Sequence, residues 1–225
     1  MHKLSSRSFA WLALLGLSFS RMALPAQTPS ALARWEPEIK AYEASDRTNP
    51  PPQQAILFIG SSAFRLWKSL AHDLPGQPLI NRGFGGSQIA DSTAFAERII
   101  FPYHPRLILL YAGDNDLAAG RTPDQVLADY QSFVRTVRAR LPKTRIAFVS
   151  IKPSLARWHL KEKILAANHQ VAALKGEGLS FIDIFSPMLG PDGNPRKELL
   201  LADGLHPNAK GYQLWASVIG PYLKD

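Results

Sequence analysis

The chain has 225 residues, 46% of them hydrophobic and 20% charged, and a formal charge of +8. That composition can bury a continuous core, so disorder is not the default reading. No cysteine is present, which rules out a disulfide framework, a thiol nucleophile and a cysteine-based metal site. The basic residues are scattered, without the Lys/Arg runs and interleaved aromatics of a nucleic-acid groove.

In chain order, His2, Lys3 and Arg7 precede an apolar run at 9–19, followed by the small-residue stretch Met22-Ala23-Leu24-Pro25-Ala26. The run is shorter than the roughly 20 apolar residues a membrane helix needs, and the charge precedes it, so residues 1–26 read as a secretory signal peptide. An uncleaved anchor is the alternative. Cleavage after Ala26 would give an exported protein, periplasmic or extracellular, with no stable membrane insertion. Lys3, Arg7 and Arg21 lie in this leader, which leaves +5 of the formal +8 on the mature chain.

Between 29 and 46, Leu32, Trp35, Ile39 and Tyr42 recur at helical spacing, and Asn49-Pro50-Pro51-Pro52 then enforces an extended linker. Residues 27–54 are therefore read as an N-terminal helix and proline-rich linker, with the core beginning after them in a domain at 55–225. Apolar runs at 55–59, 79–81, 107–112, 146–151 and 181–184 read as buried strands. They alternate with expected helices at 63–70, 88–100, 123–141, 158–175 and 207–223. Thr122 before Pro123 is an N-cap with proline at the first helical position, and Gly176 and Gly178 are stop signals. Continuous hydrophobic strands alternating with helices predict an α/β fold, a parallel sheet covered on both faces in three α/β/α layers.

In such folds chemistry gathers beyond the carboxyl ends of the strands. There the sequence places Gly60-Ser61-Ser62, then Gly83-Phe84-Gly85-Gly86, Gly113-Asp114-Asn115-Asp116, Lys152-Pro153-Ser154, and a last loop with Asp203 and His206. Acyl transfer at a serine needs a hydroxyl, a base and donors for the developing oxyanion. Ser62 at the turn after the first strand supplies the hydroxyl, although an ordinary N-cap serine would look the same. Asp203, three residues before His206, can accept the Nδ1 proton and leave Nε2 as base. The Asn115 amide can donate to an oxyanion alongside the backbone N–H groups of Gly86 and Ser62, and Asn is equally a turn residue.

Together these segments resemble the four motif blocks of the SGNH hydrolases, also called GDSL esterases or lipases. Ile56-Leu57-Phe58-Ile59-Gly60-Ser61-Ser62 is similar to the first block and Asn81-Arg82-Gly83-Phe84-Gly85-Gly86 to the second. Gly113-Asp114-Asn115-Asp116 is similar to the third and Asp203-Gly204-Leu205-His206-Pro207 to the last. The resemblance runs from about Ala55 to the C-terminus. It implies a flavodoxin-like five-stranded parallel sheet of order 2-1-3-4-5 and a catalytic triad of Ser62, Asp203 and His206. It further implies an oxyanion hole of Ser62, Gly86 and Asn115, with no metal or organic cofactor. Ser61 stands where the family has the aspartate of Gly-Asp-Ser, leaving two adjacent serines of which the block alignment favours Ser62.

The expected activity is a serine esterase acting through an acyl-enzyme on short acyl groups, such as O-acetyl on a carbohydrate. The partner is a small-molecule or glycan ester, and no oligomeric state is implied. A lysophospholipase or thioesterase, a non-catalytic carbohydrate- or envelope-binding module, and a nucleotide-binding flavodoxin-like protein are the alternatives. Arg157 and Trp158, just after the fourth strand, are candidate substrate contacts, though Trp158, like Trp67, Tyr111 and Trp215, also reads as core. His72, His104, His159 and His169 read as surface or helix-packing histidines.

Overall fold

The computed structural model describes residues 32–224. The leader read at 1–26 and its cleavage site lie outside the described residues.

Five strands, β1 (Ile56–Gly60), β2 (Leu79–Gly83), β3 (Leu107–Tyr111), β4 (Arg145–Val149) and β5 (Leu179–Ile182), form one parallel sheet of order β2-β1-β3-β4-β5, as expected. The central strands β1 and β3 are buried at every position, because helices cover both faces and alternate side chains serve opposite cores. Leu57, Ile59, Ile108, Leu110 and Phe148 point into one cluster, and Ile56, Phe58, Leu107, Leu109 and Val149 into the other.

The helices are α1 (Glu36–Thr48), α2 (Ser62–Arg65), α3 (Leu70–Asp73), α4 (Ile89–Ala94), α5 (Ala96–Ile99), α6 (Asp114–Ala118), α7 (Pro123–Arg140), α8 (Lys161–Ala173) and α9 (Ala209–Ile219). The cap at α7 forms as expected: Thr122 Oγ1 accepts from the Gln125 N–H at 3.2 Å, and Gln125 Oε1 accepts from the Thr122 N–H at 2.9 Å. The helix expected at 63–70 is instead two short ones, because Trp67 turns into an aromatic cluster with Phe64, Tyr212 and Trp215 while its indole N–H is held by Asp73 Oδ2 at 2.7 Å. The one expected at 88–100 breaks at Phe95, which leaves the helix to pack edge-on against Phe84. The last begins at Ala209 instead of 207, since Pro207 bridges to Leu200 and Asn208 takes over as N-cap, accepting from the Gly211 N–H at 3.1 Å. The segment 114–118, where no helix was expected, forms α6.

The core does not begin after the proline segment. Trp35 and Ile39 are buried in the same cluster as Leu57 and Ile59, so α1 is a packed part of the sheet's covering layer. Proline content shows that residues 50–52 are extended; it does not reveal that the preceding helix folds back.

Candidate active site

β1 ends at Gly60 with φ +128°, where a Cβ would lie 1.9 Å from the Tyr111 carbonyl oxygen. Only glycine lets the chain pass this close to β3. The next residue donates its N–H to that carbonyl at 2.8 Å, turning the Ser61 side chain inward and leaving half-buried Ser62 at the crest.

Ser62 Oγ lies 2.9 Å from His206 Nε2, and His206 Nδ1 lies 2.6 Å from Asp203 Oδ2. The other carboxylate oxygen accepts from the backbone N–H groups of Leu205 at 2.8 Å and His206 at 3.0 Å, so the loop fixes its own aspartate. Partial burial opposes ionisation of Asp203, but the bonds from the His206 side chain and from the His206 and Leu205 backbone outweigh it and hold the carboxyl at about 2. Facing an ionised Asp203, Nδ1 carries the proton and Nε2 presents its lone pair to the serine hydroxyl. Two long-range bonds set the distance between the partners. Tyr212 of α9 donates its hydroxyl to the Ala63 carbonyl at 2.8 Å, and the Ala156 N–H reaches the Gly204 carbonyl at 3.1 Å.

Further donors lie on the segments that follow the first three strands. Gly86 has φ +72° with nothing within 4 Å of a Cβ position, and neither its N–H nor that of Ser62 has a partner among the described residues. Asn115, in the first turn of α6, gives one amide hydrogen to the Ser87 carbonyl at 3.0 Å and keeps the other. The loop before Gly86 is pinned by residues 35–42. Trp35 Nε1 donates to the Gly85 carbonyl at 2.8 Å, Glu38 Oε2 accepts from the Gly85 N–H at 3.2 Å, and Tyr42 donates to the Gly83 carbonyl. Asp116 Oδ1 accepts from the Ile89 N–H at 3.2 Å. Burial pushes the Asp116 carboxyl up to about 7, and neighbouring Asp114 and Asp129 add to the effect against the pull of the backbone bonds.

A hydroxyl bonded to an imidazole and an imidazole oriented by a carboxylate make a site able to transfer acyl groups. The family model for the GDSL-like Lipase/Acylhydrolase family matches residues 26–214. The chain belongs to that family.

Solved structures share the GDSL fold at low identity. A candidate platelet activating factor from Streptococcus pneumonia is 22% identical with a TM-score of 0.74, over 87% of this chain and 95% of that one. A GDSL-like lipase from Bacteroides thetaiotaomicron is 20% identical with a TM-score of 0.70, over 82% and 96%. A carbohydrate esterase family 3 protein from Talaromyces cellulolyticus is 21% identical with a TM-score of 0.54, over 75% and 95%. No curated protein sequence matches this chain.

The departure from the GDSL motif, Ser61, is fully buried with its hydroxyl unpartnered, and it is Ser62 that meets the imidazole. Arg157 borders the crevice, but its guanidinium is committed to Asp114 Oδ2 at 2.9 Å and Asn115 Oδ1 at 2.8 Å. Trp158 is half-buried, stacks on Phe185, and donates to Asn194 Oδ1 at 3.2 Å. Trp67, Tyr111 and Trp215 are core, as expected, while His72, His104, His159 and His169 are exposed. Sequence reasoning placed Lys152 at the crest and assigned it nothing. It is buried with Nζ 3.7 Å from Asp114 Oδ2, and burial drives its ammonium down while Asp114 opposes the shift. Among the described residues no group of three or more His, Cys, Asp or Glu could hold a metal, and no helix is long and apolar enough to cross a membrane.

Proposed function

We propose that the protein is an exported serine esterase in which Ser62 attacks an ester carbonyl, His206 takes the serine proton and returns it to the leaving alcohol, and Asp203 stabilises the imidazolium. The same histidine then activates water to hydrolyse the acyl-enzyme. The oxyanion of each tetrahedral intermediate is bound by the N–H groups of Ser62 and Gly86 and the spare amide hydrogen of Asn115. The observation that carries this reading is the unbroken relay, 2.9 Å from Ser62 to His206 and 2.6 Å from His206 to Asp203. The leader-like sequence at 1–26 supports export, and the fold shared with a carbohydrate esterase supports short acyl groups such as O-acetyl on a sugar.

The deciding measurement is p-nitrophenyl acetate hydrolysis by protein starting at Gln27, beside Ser62→Ala and Ser61→Ala. We expect Ser62→Ala to lose about 10⁴-fold or more in kcat and Ser61→Ala to retain turnover. Wild-type activity in Ser62→Ala overturns the nucleophile. A wild type inactive on acetate and on longer acyl esters favours the binding-module reading.

One observation favours a second reading, in which the acyl group is longer. Leu155 and Leu201, 43% and 46% exposed, flank the loop of Asp203 and His206: the Leu155 Cβ faces Gly204, and the Leu201 N–H bonds the His206 carbonyl. Activity rising from acetate to decanoate selects this lysophospholipase or thioesterase class, and activity falling over that series selects the short-acyl reading.

A further inference from the structure

Asn115 is useful to an oxyanion only if its NH₂, and not its carbonyl oxygen, faces the crevice, and the two ends of a side-chain amide are nearly equal in shape. Which end lies where is decided by the neighbours. The Ser87 carbonyl can only accept and takes one N–H at 3.0 Å, whereas Arg157 can only donate and takes Oδ1 at 2.8 Å. These contacts fix the amide and leave one hydrogen uncommitted.

Arg157 does more than lock a rotamer. A charged donor on the carbonyl oxygen draws electron density from the amide nitrogen and makes the remaining N–H a stronger donor, an effect that a poorly solvated site amplifies. The Arg157 and Asp114 side chains are 18% and 7% exposed, and Lys152, at 1%, leans on the same carboxylate. Asp114 therefore faces both side chains and holds the guanidinium in place against Asn115. Burying such a cluster adds little to stability compared with apolar packing, and its place behind the donor side of the site gives it another purpose.

We infer that Arg157 is a positioning residue of the oxyanion hole, orienting and polarising the Asn115 amide, and that it does not bind the substrate. The inference rests on the esterase reading above. It is tested by measuring kcat and KM for p-nitrophenyl acetate in Arg157→Met and Arg157→Lys, each alone and combined with Asn115→Ala. Loss of a whole oxyanion donor costs about 10²–10³-fold, and loss of its polarising partner should cost a fraction of that. The expected result for Arg157→Met is a kcat lower by about 10- to 30-fold with KM within about twofold, partial recovery in Arg157→Lys, and a cost below about threefold when Asn115 is already alanine. A kcat within about twofold of wild type, an equal cost in both backgrounds, or a loss confined to KM overturns the inference. If Arg157→Met fails to fold, Arg157→Lys, which keeps the charge and loses the fork, carries the same cycle.

A readout independent of turnover separates this inference from the esterase reading. The Asn115 side-chain amide resonance in a ¹H–¹⁵N spectrum should move when Arg157 is replaced. An unmoved resonance sinks the role of Arg157 whatever the activity, while an inactive wild type whose resonance does move sinks the esterase reading alone.

Discussion

The Asp203 side chain is 45% exposed and takes its hydrogen bonds from Leu205 and His206 within its own loop, whereas the Asp114 side chain, at 7%, is gripped by Lys152 and Arg157 arriving from beyond β4. One half of the site is thus a short loop that organises itself in contact with water. The other is a buried set of charges and amides assembled only when β1, β3 and β4 lie side by side. The contrast separates two ways of building a catalytic group. A base must exchange protons with solvent and leaving group, so it gains from a wet loop; an oxyanion donor gains from a rigid, poorly solvated surround.

The largest expected effect breaks the wet half. Asp203→Asn should lower kcat by about 10⁴-fold with a melting temperature lower by no more than a few degrees, since the loop keeps its backbone bonds; unfolding of the variant would show that the loop does not organise itself. The sign of the pH dependence sharpens the point. A carboxyl held at about 2 contributes stability that is present above the ordinary aspartate range and disappears as pH falls toward 2. Titrating kcat/KM from pH 4 upward should therefore reveal no Asp203 step.

Next in size, Asn115→Ala removes one donor from the dry half and should cost about 10²-fold in kcat, close to 3 kcal/mol, with KM nearly unchanged. Steady-state kinetics on one ester checks it, and a loss seen only in KM would move Asn115 from the oxyanion to ground-state binding.

A smaller effect comes from Asp116 behind the same half. Its carboxyl is raised to about 7 when folded, so the folded state holds a proton that the unfolded chain releases near 4. The resulting stability is full below about pH 4 and is lost as pH rises toward 7, at up to about 1 kcal/mol per pH unit. Denaturant melts from pH 4 to 8 should show this slope, and Asp116→Asn should flatten it. The smallest change is expected for Gly86→Ala. The positive φ costs about 1 kcal/mol, but a Cβ meets nothing and the N–H remains, so kcat should fall less than tenfold with a melting temperature lower by a few degrees.

Legibility in the sequence follows the same division. Thr122 precedes Pro123, so local spacing was enough to read the start of α7, whereas Asp203 and His206, three residues apart, read as a relay only together with the other blocks of the family resemblance. Continuous apolar runs gave the strands, and the family resemblance gave their order. The bond between Arg157 and Asn115 joins residues 42 positions apart, and no local pattern marks it; Arg157 was legible as a crest residue and illegible as a partner. Lys152 was hidden because a buried lysine is disfavoured unless a carboxylate is already known to face it. The break at Trp67 escaped notice because helix propensity is weak beside the burial of a large aromatic ring.

The docking of α1 gives the molecule a direction. Trp35 and Glu38 both touch Gly85, the neighbour of Gly86, so the chain enters the folded domain beside the rim of the crevice and not at the opposite pole of the sheet. Anything attached upstream of Trp35 therefore joins the domain through a residue bonded directly to the neighbour of Gly86.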